Sequence, residues 1–212
     1  MIVCSIPANL IHSIHSTALF PHFSLYGTFC MVLFTPYRRM KSQKVMNLIL
    51  IRHGIAVPVE DWQGPEVQRP LTSEGFLKTR KALVGLSRLG LQPTHMFSSS
   101  FERAIQTAEL ARQVFYFTDP VHCTDALLPD AHPLSLLALL KDVPFRSCVF
   151  CFGHEPQLSA FAGCVIAGHP IPGFAFKKAG ACALAFEDEL EPGRGLLLWC
   201  LTPSQLRQLK KP

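Results

Sequence analysis

The sequence predicts an α/β fold: a three-layer sandwich with a largely parallel central sheet and helices on both faces. Two observations carry this. Short apolar runs, NLILI at residues 47–51 and SCVFCF at residues 147–152, run straight into Arg-His-Gly and Gly-His turns, as strands buried on both faces do. Stretches with helical spacing alternate with such runs, and alternating strands and helices imply a mostly parallel sheet covered by helices. The composition agrees: 212 residues suit one substantial domain, and 49% hydrophobic with 17% charged residues can bury enough apolar surface to offset chain entropy.

Residues 47–51 are read as a central strand ending at Arg52, His53 and Gly54. Residues 55–71 hold Pro58, Gly64, Pro65 and Pro70, whose fixed backbone angles and missing donors argue for a long loop of functional size. Thr72 and Ser73 are capping residues for a helix to about Leu89, with Ala82, Leu83, Leu86 and Leu89 at helical spacing and Gly90 as a stop. THMFSSS at 94–100 reads as a strand leading into the helix FERAIQTAELARQVF, whose free amides then lie near the strand end. Residues 121–128 are expected as a short strand, and Pro133 opens a helix in HPLSLLALLKDV. The strand at 147–152 is followed by a helix at 157–167 that Gly168 stops, and strands are expected at 179–187 and 195–201.

The net charge of +5 does not mark a nucleic-acid partner. Residues 1–45 carry Arg38, Arg39, Lys41 and Lys44 and no Asp or Glu, leaving 16 basic and 15 acidic groups in the other 167 residues, with no basic stripe interleaved with aromatics. Eight cysteines suggest no disulfide framework and fit a reducing cytoplasm. Cys148 and Cys151 have CxxC spacing, yet three apart in a strand they point to opposite faces. Residues 1–45 do not read as core. Met46 opens directly on a buried strand, so residues 1–45 are read as an N-terminal extension, disordered or a start-site artefact ahead of a true start at Met46, and dispensable to a domain spanning 46–212. A membrane anchor over residues 17–37, followed by the basic cluster, is the competing reading, which Pro21, Ser24, Gly27 and Pro36 weaken.

Three strand ends deliver Arg52-His53-Gly54, the turn from Ser98 to Arg103, and Gly153-His154-Glu155-Pro156. If these strands are neighbours, one crevice receives two arginines, two histidines and a helix N-terminus. That is an anion site in which guanidinium forks bind phosphoryl oxygens and an imidazole can act as a nucleophile. His95, His122, His132 and His169 are read as structural or solvent-facing, and Arg69, Lys177 and Lys178 as loop or surface cations. Arg103 has a competing reading as a helix-face partner of Glu102 or Glu109.

LILIRHG, RPLTSEG, SSSFERAIQTAE, GHEPQLSAFAG, FKKAGACALAF and LTPSQLRQL, in that order, resemble the histidine phosphatase superfamily, also called phosphoglycerate-mutase-like, and within it the small SixA-type phosphohistidine phosphatases. The resemblance spans residues 46–209. It implies a metal-independent, cofactor-free phosphatase in which His53 is the nucleophile and forms a phosphohistidine intermediate. Gly54 allows close backbone approach, while Arg52, Arg103 and His154 neutralise the phosphoryl charge during in-line transfer. Glu155 joins the substrate-binding set. His53 must be neutral to attack and His154 is more useful charged, so the two pKa values are expected to be pushed apart.

The general acid is open between Glu155, which follows His154 as Asp follows His in the acid phosphatase branch, Asp130 in LLPDAHP, and none. Related sequences often carry an acidic residue just before that loop's proline, where this chain has His132. Without an acid, phosphohistidine is favoured, because protonated imidazole leaves as the conjugate base of an acid of pKa about 6.5. The short chain beyond Met46 points to an open site that admits a signalling or phosphotransfer protein. Two alternatives are a small-molecule phosphomonoesterase of the same fold and a noncatalytic phosphoprotein-binding module.

Overall fold

Seven residues, MNLILIR, form the strand on which the rest is assembled: β1 (Met46–Arg52), whose side chains divide by parity between two cores. Met46, Leu48 and Leu50 enter one and Ile49 and Ile51 the other. A computed structural model describes residues 45–210, so the readings of the N-terminal extension and its anchor alternative lie outside the described residues. No helix among the described residues is long and apolar enough to cross a membrane.

The other strands are β2 (His95–Ser98), β3 (His122–Cys123), β4 (Cys148–Gly153), β5 (Ala181–Phe186) and β6 (Leu196–Leu201). They form one sheet in the order β3-β2-β4-β1-β5-β6. The pairings β3-β2, β2-β4 and β4-β1 are parallel, whereas β1-β5 and β5-β6 are antiparallel. The helices α3 (Pro133–Leu140) and α4 (Gln157–Ala167) cover the face carrying Leu48 and Leu50. The opposite face packs against α1 (Ser73–Ser87), α2 (Glu102–Val114) and Leu206 of a short α5 (Pro203–Gln208). The three-layer α/β architecture is therefore present. Cys148 and Cys151 do lie on opposite faces, Cys151 in the α3–α4 core and Cys148 against the other.

Three local readings differ. The expected strand at 121–128 shrinks to two residues, because the Thr124 hydroxyl accepts from Ala126 N at 3.2 Å and turns the chain into a 3-10 turn at Asp125–Leu127. Ala126 and Leu127 are both buried within that turn. Helix α1 stops at Ser87 instead of about Leu89, its last turn tightening through Arg88 N to Gly85 O at 3.1 Å before Gly90 turns left-handed at φ 72°. Helix α5 is additional: Thr202 and Gln205 form a capping box around a Pro203 start.

The strand order positions the site. After β1 the chain crosses to β2, two places away, and β4 later fills the gap between them. Register pairs Arg52 with Gly153 and Ser98 with Phe152, so the C-terminal ends of β2, β4 and β1 finish level and side by side. A crevice outside the carboxyl ends of strands at a topological switch is where such sheets bind ligands.

Candidate active site

Because β1 ends at Arg52, the next residue leaves the sheet at the crevice floor. His53 N donates to Gly153 O at 3.0 Å, and the His53 carbonyl accepts from Ala179 N at 3.0 Å. The His53 ring is buried at 6% exposure. Its Nδ1 lies 2.7 Å from the Gly54 carbonyl oxygen, which can only accept, so Nδ1 carries the proton and Nε2 keeps the lone pair. Arg103 Nε, on the first turn of α2, donates toward that Nε2 at 3.4 Å.

Gly54 has a packing reason. An added Cβ would lie 2.1 Å from Thr79 Oγ1 of α1 and 3.2 Å from a Leu71 methyl, and its amide donates to Thr107 Oγ1 at 3.1 Å. Gly54→Ala is expected to lower stability by about 1–3 kcal/mol through overpacking, read as a lower urea midpoint. It also displaces the carbonyl that orients His53, so activity falls with it.

His154 follows β4 as His53 follows β1, and the two rings sit 4.9 Å apart between centroids. His154 Nε2 is 2.9 Å from Ser99 Oγ, and Phe101 packs edge-on against the ring at 5.1 Å. Arg103 lies over the same Phe101 ring at 4.8 Å. Arg52 Nη1 donates to Phe176 O at 2.6 Å. Arg52 Nε and His154 Nδ1 are buried with no hydrogen-bond partner, leaving the crevice unspent polar capacity. The structure thus brings together Arg52, His53, Arg103 and His154.

The two imidazoles do not diverge in pKa as expected. Burial first, then His154 and the two arginines, pushes His53 down to about 2, against the pull of its bond to Gly54. Burial and the positive charges of Arg103, Arg52 and Arg69 push His154 down to about 3. Both rings share one buried, cation-rich crevice, so both are driven the same way; an entering phosphoryl anion would raise both. This links pH to stability. In the unfolded chain each ring titrates near about 6.5, so the contribution is intact above that pH. As pH falls toward the folded values the unfolded chain takes up protons the folded rings refuse, and stability is lost. The expected loss between pH 7 and 5 is roughly 2 kcal/mol per ring. It should show in urea midpoints at the two pH values and shrink in a His53→Asn, His154→Asn double variant.

Arg103 pairs with neither Glu102 nor Glu109: Glu102 accepts from Gln106 at 2.8 Å and Glu109 from Arg112 at 2.7 Å. Its partner is Glu66, unnoticed in the sequence, which sits in a 3-10 turn (Glu66–Gln68) within the proline-rich loop. Arg103 Nη2 is 3.1 Å from Glu66 Oε1, and Arg103 Nη1 donates to Glu66 O at 3.2 Å. Arg69 is bound into the same unit, pairing with Glu66 at 2.7 Å and donating from Nη1 to Val57 O at 2.5 Å, so it is a loop organiser and not a free cation. The EVQR spacing was the only trace of this unit.

Of the two acid candidates, Glu155 uses both oxygens as acceptors, Oε2 from Ser159 Oγ at 2.6 Å and Oε1 from Phe176 N at 3.1 Å. It thereby fixes the loop whose carbonyl holds Arg52. Asp130 is exposed in the turn before α3, where His132 Nδ1 caps the helix by accepting from Leu134 N at 3.2 Å. Lys177 and Lys178 are exposed.

A family model described as the histidine phosphatase superfamily (branch 1) matches residues 48–127. An uncharacterized protein of Picosynechococcus is 30% identical over 141 residues, which are 66% of this chain and 84% of the relative. In fold, the chain is similar to the protein histidine phosphatase SixA complexed with tungstate, with a TM-score of 0.65 at 21% identity over 76% of this chain and 99% of that one. A SixA from Agrobacterium tumefaciens gives 0.59 at 23% identity, covering 74% and 97%. A mycobacterial glucosyl-3-phosphoglycerate phosphatase gives 0.56 at 16%, covering 75% and 100%.

Proposed function

Because the chain belongs to the histidine phosphatase superfamily, we propose that its crevice hydrolyses a phosphorylated substrate through a covalent phosphohistidine at His53, and that the substrate is itself a phosphohistidine protein. The observation that carries this reading is the held tautomer of His53. A proton fixed on Nδ1 by Gly54 O leaves a neutral ring with its Nε2 lone pair beside Arg103. Attack by Nε2 on phosphorus forms the N–P bond as the bond to the leaving group breaks; water then returns the phosphoryl group as phosphate. Arg52, Arg103 and His154 bind the equatorial oxygens, and charge stabilisation by such donors is the main catalytic term in phosphoryl transfer.

The choice of phosphohistidine rests on the carboxyl groups. Glu155 has both oxygens committed and Asp130 is a solvent-facing turn residue, so neither supplies the proton an alkoxide needs, whereas a protonated imidazole leaves without one. Glu66 does not fill that gap, since the hydrogen bond from Arg69 and the charge of Arg103 hold its carboxyl below the usual range and keep it ionised. A phosphohistidine peptide and an alkyl phosphomonoester should be compared under identical conditions in the wild type and in Glu66→Gln, Glu155→Gln and Asp130→Asn. The expected result is faster turnover of the peptide in all four proteins. Equal rates in the wild type, with the ester rate collapsing in one variant, would replace this reading with the phosphomonoesterase.

A further inference from the structure

Cys182 of β5 and Cys200 of β6 are direct partners in the antiparallel ladder, on the regular side of the register shift at Ala183/Leu184. Opposed residues leave the same sheet face. The neighbours of Cys200, Trp199 and Leu201, pack on the α1–α2 side, and Cys182 belongs to the α3–α4 core, so both thiols lie on the α3–α4 face. Antiparallel partners hold their Cα atoms about 4.5 or about 5.5 Å apart, and either spacing falls in the range of about 4.4–6.8 Å that a disulfide spans. Cys200 is exposed and Cys182 fully buried behind it.

The interaction between the two thiols holds the Cys200 thiol below its usual range and, with burial, raises that of Cys182. Burial, and after it the charge of Glu155, opposes the first effect. Cys148 and Cys151 lack this arrangement: burial raises both, Cys148 to about 12, and they face opposite ways.

We propose that Cys182 and Cys200 form an oxidative modification site, at which hydrogen peroxide oxidises Cys200 and the pair closes to a cross-strand disulfide. In the first step the Cys200 thiolate attacks one peroxide oxygen; an S–O bond forms, the O–O bond breaks, and the second oxygen leaves as water after protonation. Cys182 sulfur then attacks the sulfenic sulfur, forming S–S as S–O breaks and a second water departs. Two thiols are oxidised and one peroxide is reduced, and a thiol reductant reverses the bridge. No residue of the phosphoryl crevice takes part, so the site stands independently of the proposed activity.

The experiment uses the full chain with all eight cysteines, titrated with hydrogen peroxide, blocked with N-ethylmaleimide and mapped without reduction. Trypsin cuts after Lys178, Arg194 and Arg207, so Cys182 and Cys200 fall on separate peptides. The expected result is a cross-linked pair joining them at lower peroxide than oxidises the other thiols, lost on adding dithiothreitol. The link should be absent in Cys200→Ser, while in Cys182→Ser the Cys200 sulfenic acid proceeds to sulfinic acid. A Cys200 that stays alkylatable, pairs with another cysteine or reaches sulfinic acid in the wild type would overturn the proposal. The wild-type map alone decides it should the buried Cys182→Ser variant fail to fold.

Discussion

His53→Asn is expected to lower kcat roughly 10⁴-fold or more, as loss of a nucleophile does when binding and charge stabilisation remain, and to abolish the phosphoenzyme. The asparagine amide keeps a polar group of similar reach, so folding and phosphate-analogue binding should persist. The mechanism explains the size of the effect. Only a neutral ring can attack, and His53 is kept neutral by burial among cations while Gly54 O holds its proton on Nδ1. The check is rapid acid-free quenching during turnover of a phosphoramidate, followed by mass spectrometry of His53. An adduct in the wild type that vanishes in His53→Asn supports covalent transfer. Absence of both turnover and adduct in the wild type, with vanadate binding intact, would move the protein to the noncatalytic phosphoprotein-binding alternative.

Arg103→Ala should cost about 10³–10⁵ in kcat, the range for removing a guanidinium that stabilises a transferring phosphoryl group. Arg103 is 4% exposed and points its donors at His53 Nε2 and at the backbone and carboxylate of Glu66. It therefore enters the site already oriented, and Glu66 with Arg69 is what orients it. Arg103→Lys keeps the charge but not the planar fork, and should recover only about tenfold. Steady-state kinetics on one phosphoramidate and vanadate inhibition constants should weaken together across the series. A rate within tenfold of wild type in Arg103→Ala would confine Arg103 to holding the loop.

Much of the fold could be read because strand parity and helix periodicity are local. The apolar runs around Leu48–Ile51 and Val149–Phe152, the Thr72 cap, the Gly168 stop and the histidines after each strand all follow from neighbours within a few positions. The element at His122–Cys123 is shorter than its residues suggest because they permit a strand while the Thr124 side chain chooses a turn. Helix α5 leaves little trace in the sequence because six residues carry too little periodicity, even with a capping box.

The sequence by itself determined the alternation of strands and helices, and it placed Arg52, His53, Arg103 and His154 at element ends, since these properties depend on side-chain type and spacing. Only the tertiary structure decided that β4 inserts between β1 and β2, drawing those ends into one crevice. That same burial drives both imidazoles down together, ties Arg69 to Glu66 and couples Arg103 to Glu66, 37 residues earlier. Desolvation and long-range ion pairing depend on which segments meet in space, and a linear order of residues does not contain that distance.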